Sequence, residues 1–195
     1  MALRIETLTG AALDAALDDV ARLRIEVFRA WPYLYDGDLA YERSYLQSYR
    51  DSAAPLVVGA YQGDRLVGAA TGTPLADHAE DFASAFATSD LALSDIFYCA
   101  ESVLLAEFRG QGAGHGFFDA REAHARAQGF TKAAFCVVER PADHPLRPAG
   151  YAPLDAFWRK RGYAPLLGVV AEFRWKDVDQ STETRKPLQF WIRDL

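Results

Sequence analysis

The sequence predicts an α/β or α+β domain in which helices flank a mixed sheet. Three observations carry that reading. The periodicities run strand, helices, antiparallel meander, strand, glycine loop, helix, strand, helix, strands. No repeat, low-complexity segment or linker divides the 195 residues, so residues 1–195 read as one domain. The composition, 50% hydrophobic and 25% charged, supplies enough apolar chain for a sizeable core and excludes extended disorder.

Each element has its own signal. Arg4–Leu8 alternates as a strand does. From Gly10 to Ala30, Leu13, Leu17, Val20, Leu23 and Val27 fall on one helical stripe. An aromatic loop over 31–38 follows, then a polar helix, Leu39–Arg50. Pro55–Tyr61 and Arg65–Thr71 are apolar, strand-like runs around Gln62-Gly63-Asp64, a hairpin signal. Thr73–Ser94 reads as loop or partly helical. Ile96–Ala106 is a strand long enough to need a bulge or bend. Glycines lead into a helix over Gly114–Gln128, which Gly129 closes. Lys132–Val138 is an apolar strand. After a Pro-rich loop come a short helix, Leu154–Arg161, and strands near Leu166–Trp175 and Leu188–Arg193.

Charge and cysteine usage narrow the function. The net charge of -6 gives no long-range attraction for nucleic acid or an anionic membrane, so neither is expected as a partner. Cys99 and Cys136 each lie in apolar runs and read as buried free thiols. The four scattered histidines have no metal-ligand spacing, and no metal is expected. The N-terminus lacks a charged region followed by an apolar one, and no run of about 18 apolar residues occurs, so the expected location is cytoplasmic.

Arg109-Gly110-Gln111-Gly112-Ala113-Gly114-His115-Gly116 is the most informative stretch. A strand runs into glycines and the glycines into a helix. Free N–H groups and the positive end of the dipole at a helix start attract anions, and glycine lets a phosphate approach the backbone. A tight turn without a ligand is the plain alternative. No Lys-Ser or Lys-Thr follows, as a P-loop needs. The dinucleotide pattern GxGxxG fails from Gly110, where His115 takes the third position, and from Gly112, where Phe117 does.

What fits is Arg/Gln-x-x-Gly-x-Gly/Ala, as Arg109-Gly110-Gln111-Gly112-Ala113-Gly114. With the preceding strand Ser102–Phe108 and the later Phe157-Trp158-Arg159-Lys160-Arg161-Gly162-Tyr163, this resembles the Gcn5-related N-acetyltransferase (GNAT) superfamily over roughly residues 3 to 175. The resemblance implies a mostly antiparallel mixed sheet, splayed between its fourth and fifth strands, and acetyl-CoA as co-substrate. It places the pyrophosphate on the amides of Gln111, Gly112, Ala113, Gly114 and His115, flanked by Arg109 and Gly110. It lays the pantetheine arm along main-chain groups of Val103, Leu104 and Leu105, with the Leu104 N–H aimed at the thioester carbonyl.

The chemistry implied is acetyl transfer to an amine, which must lose a proton before it attacks. Glu101, among Cys99, Ala100, Val103 and Leu104, is expected to have a pKa raised by desolvation. It would serve as general base or bind the acceptor ammonium. A charge on a solvated face or paired with arginine is the alternative. The family's late-helix tyrosine is replaced by Trp158, which packs against the cofactor arm or in the core. Tyr151 and Tyr98 are the substitute acids, unless the thiolate leaves unprotonated. Trp31, Tyr33, Tyr35 and Asp36, with Tyr98, would line the acceptor site, aromatic and acidic as a cationic amine requires. The acceptor itself, a small molecule or a peptide, has no signature. A non-catalytic acyl-CoA sensor on the same fold is the competing reading. A nucleotide-binding module lacks every phosphoryl-transfer motif. A homodimer through the strand Lys186–Leu195 is a further expectation.

Overall fold

The computed structural model describes residues 2–195, apart from the Ser48 side chain. The chain runs β1 (Arg4–Leu8), α1 (Gly10–Phe28), α2 (Leu39–Asp51), β2 (Leu56–Gln62), β3 (Arg65–Pro74), α3 (Ala79–Phe86), β4 (Ile96–Tyr98), β5 (Ser102–Leu104), α4 (Ala113–Ala127), β6 (Lys132–Val138), α5 (Asp155–Lys160), β7 (Ala164–Lys176) and β8 (Glu183–Asp194). The strands form one sheet in the order β1-β2-β3-β4-β6-β8-β7, with β5 continuing β4 alongside β3. Every pairing is antiparallel except β4 with β6. The hairpin predicted at Gln62-Gly63-Asp64 forms, with Gln62 opposite Arg65 and Gly63 at φ +59°.

Side-chain alternation sorts the helices onto two faces. Phe97 points to His124 and Phe130 beside α4, whereas Tyr98 points to His78 and Phe82 at α3. Thr71 and Thr73 share a face and meet Tyr49 of α2 and His78 respectively. Phe135 meets Phe118 of α4 and Trp158 of α5. Hence α2 and α3 cover one face and α4 and α5 the other. Helix α3 falls in the segment read as loop or partly helical. Its Phe82 and Phe86 both pack on Phe190, at 5.1 and 4.9 Å between ring centroids.

The long strand predicted over 96–106 is divided, and the division positions the site. The Cys99 N–H donates to the Ala134 carbonyl of β6 at 2.8 Å. From the next residue the chain turns to β3 alone: Ala100 N–H donates to Thr71 O at 3.1 Å, and Thr71 N–H to Glu101 O at 3.0 Å. Beyond Ala134, β6 pairs only with β8, Phe135 opposite Trp191 through Val138 opposite Leu188. A gap therefore opens between β5 and the outer half of β6. This is the splay expected between the fourth and fifth strands of the sequence reading.

The C-terminal strand, named above for a homodimer contact, has both of its edges paired within the chain. β6 takes one edge of β8 and β7 the other. Cys99 and Cys136 are buried and free, as the apolar runs around them suggested. Among the described residues, no helix is long and apolar enough to cross a membrane, and no group of His, Cys, Asp or Glu is placed to hold a metal.

Candidate active site

The gap leads from the bulge at residues 99–101 to the glycine loop. Gly112 caps α4 in the left-handed region at φ +86°, and Gly110 has φ +74°. A side chain at either position would be strained. A Cβ at either would meet nothing within 4 Å, so the backbone here borders open space. The first amides of α4 lack partners within the helix. Those of Ala113 and Gly114 are therefore available, next to Gln111 and Gly112. The His115 amide departs from the expectation: it donates to the Gly112 carbonyl at 3.0 Å, closing the first turn. The His115 ring lies against Phe157 and the Arg161 guanidinium. Arg109 is exposed and its Nε donates to the Leu104 carbonyl at 3.4 Å.

Hydrogen-bond alternation decides which groups of β5 face the gap. Glu101 O and Leu105 N–H are engaged with β3, at Thr71 and Val67, and Val103 pairs with Ala69 between them. The Leu105 carbonyl accepts from Phe108 N–H at 3.0 Å. Leu105 is therefore spent, and the main chain of Val103 faces β3. This corrects the expectation that both would contact a cofactor arm. The main-chain groups of Ser102 and Leu104 point the other way, into the gap.

Glu101 is the centre of a buried charge cluster. Its Oε1 accepts from Tyr45 Oη at 2.6 Å and its Oε2 from Tyr49 Oη at 3.0 Å. Thr71 Oγ1 also donates to Oε2, and Arg24 forms ion pairs with Glu101 and Glu42. Burial would raise the Glu101 carboxyl, but the Arg24 guanidinium and then the Thr71, Tyr45 and Tyr49 hydroxyls outweigh it. The group is held below the ordinary carboxylate range. The raised pKa expected from the apolar flanks is thus corrected: α1, α2 and β3 supply a cation and hydroxyl donors that the neighbours along the strand do not. Burial, then the Glu101 carboxylate, push the Tyr45 and Tyr49 phenols up. On the other face Arg121 of α4 is 1% exposed and donates to Glu101 O at 3.0 Å and to Ser102 Oγ at 2.9 Å. Two guanidiniums thus grip the bulge from opposite faces of the sheet.

A cleft of about 360 Å³ brings together Trp31, Tyr151 and Trp158, with Arg140, Arg147 and Trp191. Trp31 lies 5.9 Å from Tyr151 between ring centroids, and Trp158 packs on Phe135 and Trp191. Burial, then Asp155, raise the Tyr151 phenol. The rest of the aromatic loop is structural. Arg140 binds Asp177 through both oxygens (2.7 and 2.9 Å) and donates to the carbonyls of Pro32 at 2.8 Å and Tyr33 at 2.5 Å. The Tyr33 ring is packed against Phe28 and Trp175. Tyr35 forms a bridge with Asp177. Asp36 is neutralised by Lys176 at 2.6 Å and Arg29 at 2.9 Å, which hold its carboxyl below the ordinary range. Tyr98 does not line the acceptor side: it is buried under Phe82 with its hydroxyl 3.2 Å from Cys136 Sγ.

Sequence reasoning missed Arg24, Tyr45, Tyr49, Arg121 and Arg140. Two of these had a signal. Arg24 stands on the apolar stripe of α1, four residues after Val20, and Arg121 stands four after Phe117 in α4. A cation on a core-facing stripe calls for a buried partner.

A splayed sheet beside a glycine-rich helix start is an acetyltransferase architecture. The model of the acetyltransferase (GNAT) family matches residues 18–163, well over half the chain. The chain belongs to that family. Among curated proteins none matches. Among solved structures, a ribosomal-protein-alanine N-acetyltransferase from Brucella melitensis is similar at TM-score 0.63 and 16% identity, covering 99% of this chain and 100% of its own. A GCN5-related N-acetyltransferase from Kribbella flavida is similar at TM-score 0.61 and 15% identity, covering 100% and 98%. A Salmonella typhimurium structure with acetyl-CoA as its cofactor is similar at TM-score 0.61 and 10% identity, covering 100% and 95%. At these identities the likeness is one of fold.

Proposed function

We propose that the chain transfers acetyl directly from the thioester of acetyl-CoA to a primary amine. The observation that carries this is the change of partner between Cys99 and Ala100, which leaves one edge of β5 unpaired and leads it to open amides at the start of α4. The amides of Gln111 to Gly114 would hold the pyrophosphate, with Arg109 as the flanking cation. The free N–H groups of Leu104 and Ser102 would take the arm and its thioester carbonyl, where negative charge develops. Trp158 and Tyr151 would border the reacting end and Trp31 the acceptor.

Glu101 fits a role other than general base. An amine with a pKa of about 10.4 would lose its proton to a depressed carboxylate only against a large gradient, about 1.36 kcal/mol per pKa unit. The carboxylates of Glu42 and Glu101 are balanced by two guanidiniums, Arg24 on their own face of the sheet and Arg121 on the other. Glu101 would instead fix the bulge at the reacting end, and the amine loses its proton to water before attack.

Incubation with acetyl-CoA and a panel of amines tests the proposal. Amine-dependent release of CoA thiol, lowered at least tenfold by Glu101→Gln, is expected. Tight binding without turnover, indifferent to Glu101→Gln, would support the sensor reading instead.

A further inference from the structure

Arg121 is 1% exposed, yet among the described residues it forms no salt bridge. Its guanidinium donates only to neutral oxygens: Glu101 O at 3.0 Å, Thr71 O at 3.4 Å and Ser102 Oγ at 2.9 Å. Its Nε has no partner, and one face lies over the Phe118 ring at 4.6 Å. A buried cation without an anion is costly, and the surrounding structure is therefore better satisfied when a negative charge comes near. Of the three oxygens only Ser102 Oγ belongs to an exposed residue. Ser102 also stands on the unpaired edge of β5, two residues, about 7 Å, farther from the glycine loop than Leu104. An arm leaving that loop passes Leu104 first and presents its sulfur end toward Ser102.

We infer that Ser102, backed by Arg121, receives the negative charge of the departing CoA sulfur, so that no side-chain acid is required. The inference rests on the acetyltransferase reading above. The amine nitrogen bonds to the thioester carbonyl carbon and the C–S bond breaks, its electron pair going to sulfur. The proton lost by the amine goes to water. The thiolate is met by the Ser102 O–H, whose oxygen accepts from Arg121, and it takes its proton from water after release. Ser102 is the catalytic residue and Arg121 a positioning residue that acts through it. This accounts for a tryptophan, Trp158, where a proton-donating tyrosine is absent.

The thiol pKa of bound CoA, read from thiolate absorbance against pH, tests this without turnover. In the wild type the bound thiol should titrate about one unit below free CoA, a tenfold gain in thiolate, as a charge-assisted hydrogen bond provides. Ser102→Ala should abolish the shift and lower kcat about tenfold with acetyl-CoA affinity unchanged. Ser102→Thr and Arg121→Lys, which keep the hydroxyl and the charge, should retain most of both. A bound thiol that titrates as free CoA does, or a shift that survives Ser102→Ala, overturns the inference while leaving the acetyltransferase reading in place. Failure of the wild type to bind CoA overturns both.

Discussion

Replacing Glu101 by glutamine separates a buried ionic anchor from a solvated or idle carboxylate. Both Glu101 oxygens accept from hydroxyl donors, Oε1 from Tyr45 at 2.6 Å and Oε2 from Tyr49 at 3.0 Å and from Thr71, and Arg24 adds its charge. A glutamine amide must aim its NH2 at one pair of these donors whichever way it is turned. Removing one partner of a buried ion pair costs about 3–5 kcal/mol. The shape is kept and Arg24 retains Glu42, so the lower end applies, about 3 kcal/mol. For a domain of this size that lowers Tm by about 6–12 °C. The pH dependence has a fixed sign. A carboxyl whose folded pKa is depressed stabilises above its unfolded pKa, and that stability fades as pH falls through the folded value. The difference in Tm between wild type and Glu101→Gln should therefore be full at pH 7 and shrink below about pH 4.5. Thermal unfolding followed by circular dichroism at several pH values measures both. A Tm within 2 °C of wild type at neutral pH (under about 1 kcal/mol) would refute the buried anchor.

Other substitutions probe the remaining walls. Arg140→Ala removes both bonds to Asp177 and those to Pro32 and Tyr33. It should cost about 3–5 kcal/mol in denaturant unfolding and raise KM for the amine more than KM for acetyl-CoA. Trp158→Tyr loses part of the packing on Phe135 and Trp191 and supplies a phenol where an acid is absent. Steady-state kinetics should show no gain in kcat, and a clear gain would mean that thiolate protonation limits the wild type.

Much of the fold was legible because its signals are local. Lys132–Val138 matches its predicted bounds, and the β2–β3 turn and the glycine-led start of α4 follow from residues adjacent in sequence. The split of the strand over 96–106 was foreseen as a bulge, but its position depends on β6 and β3 competing for the same residues. The glycine loop was legible because glycine carries its own backbone requirement. The setting of Glu101 was not, because Arg24, Tyr45 and Tyr49 come from helices more than fifty residues away. The same holds for Asp36. An acidic residue in an aromatic loop suggested an amine site, but Lys176, brought back by β7, neutralises it. Charges read from sequence carry no information on which of them are already paired.

The measurement closest to the central claim is calorimetric titration of acetyl-CoA into the wild type and into Gly112→Glu. Position 112 sits at φ +86° on the turn proposed to hold the pyrophosphate, so the substitution adds both strain and a repelling carboxylate. Saturable binding by the wild type, weakened at least thirtyfold by Gly112→Glu with the fold intact by circular dichroism, is the predicted result. No binding by the wild type, or equal binding by both proteins, would contradict it.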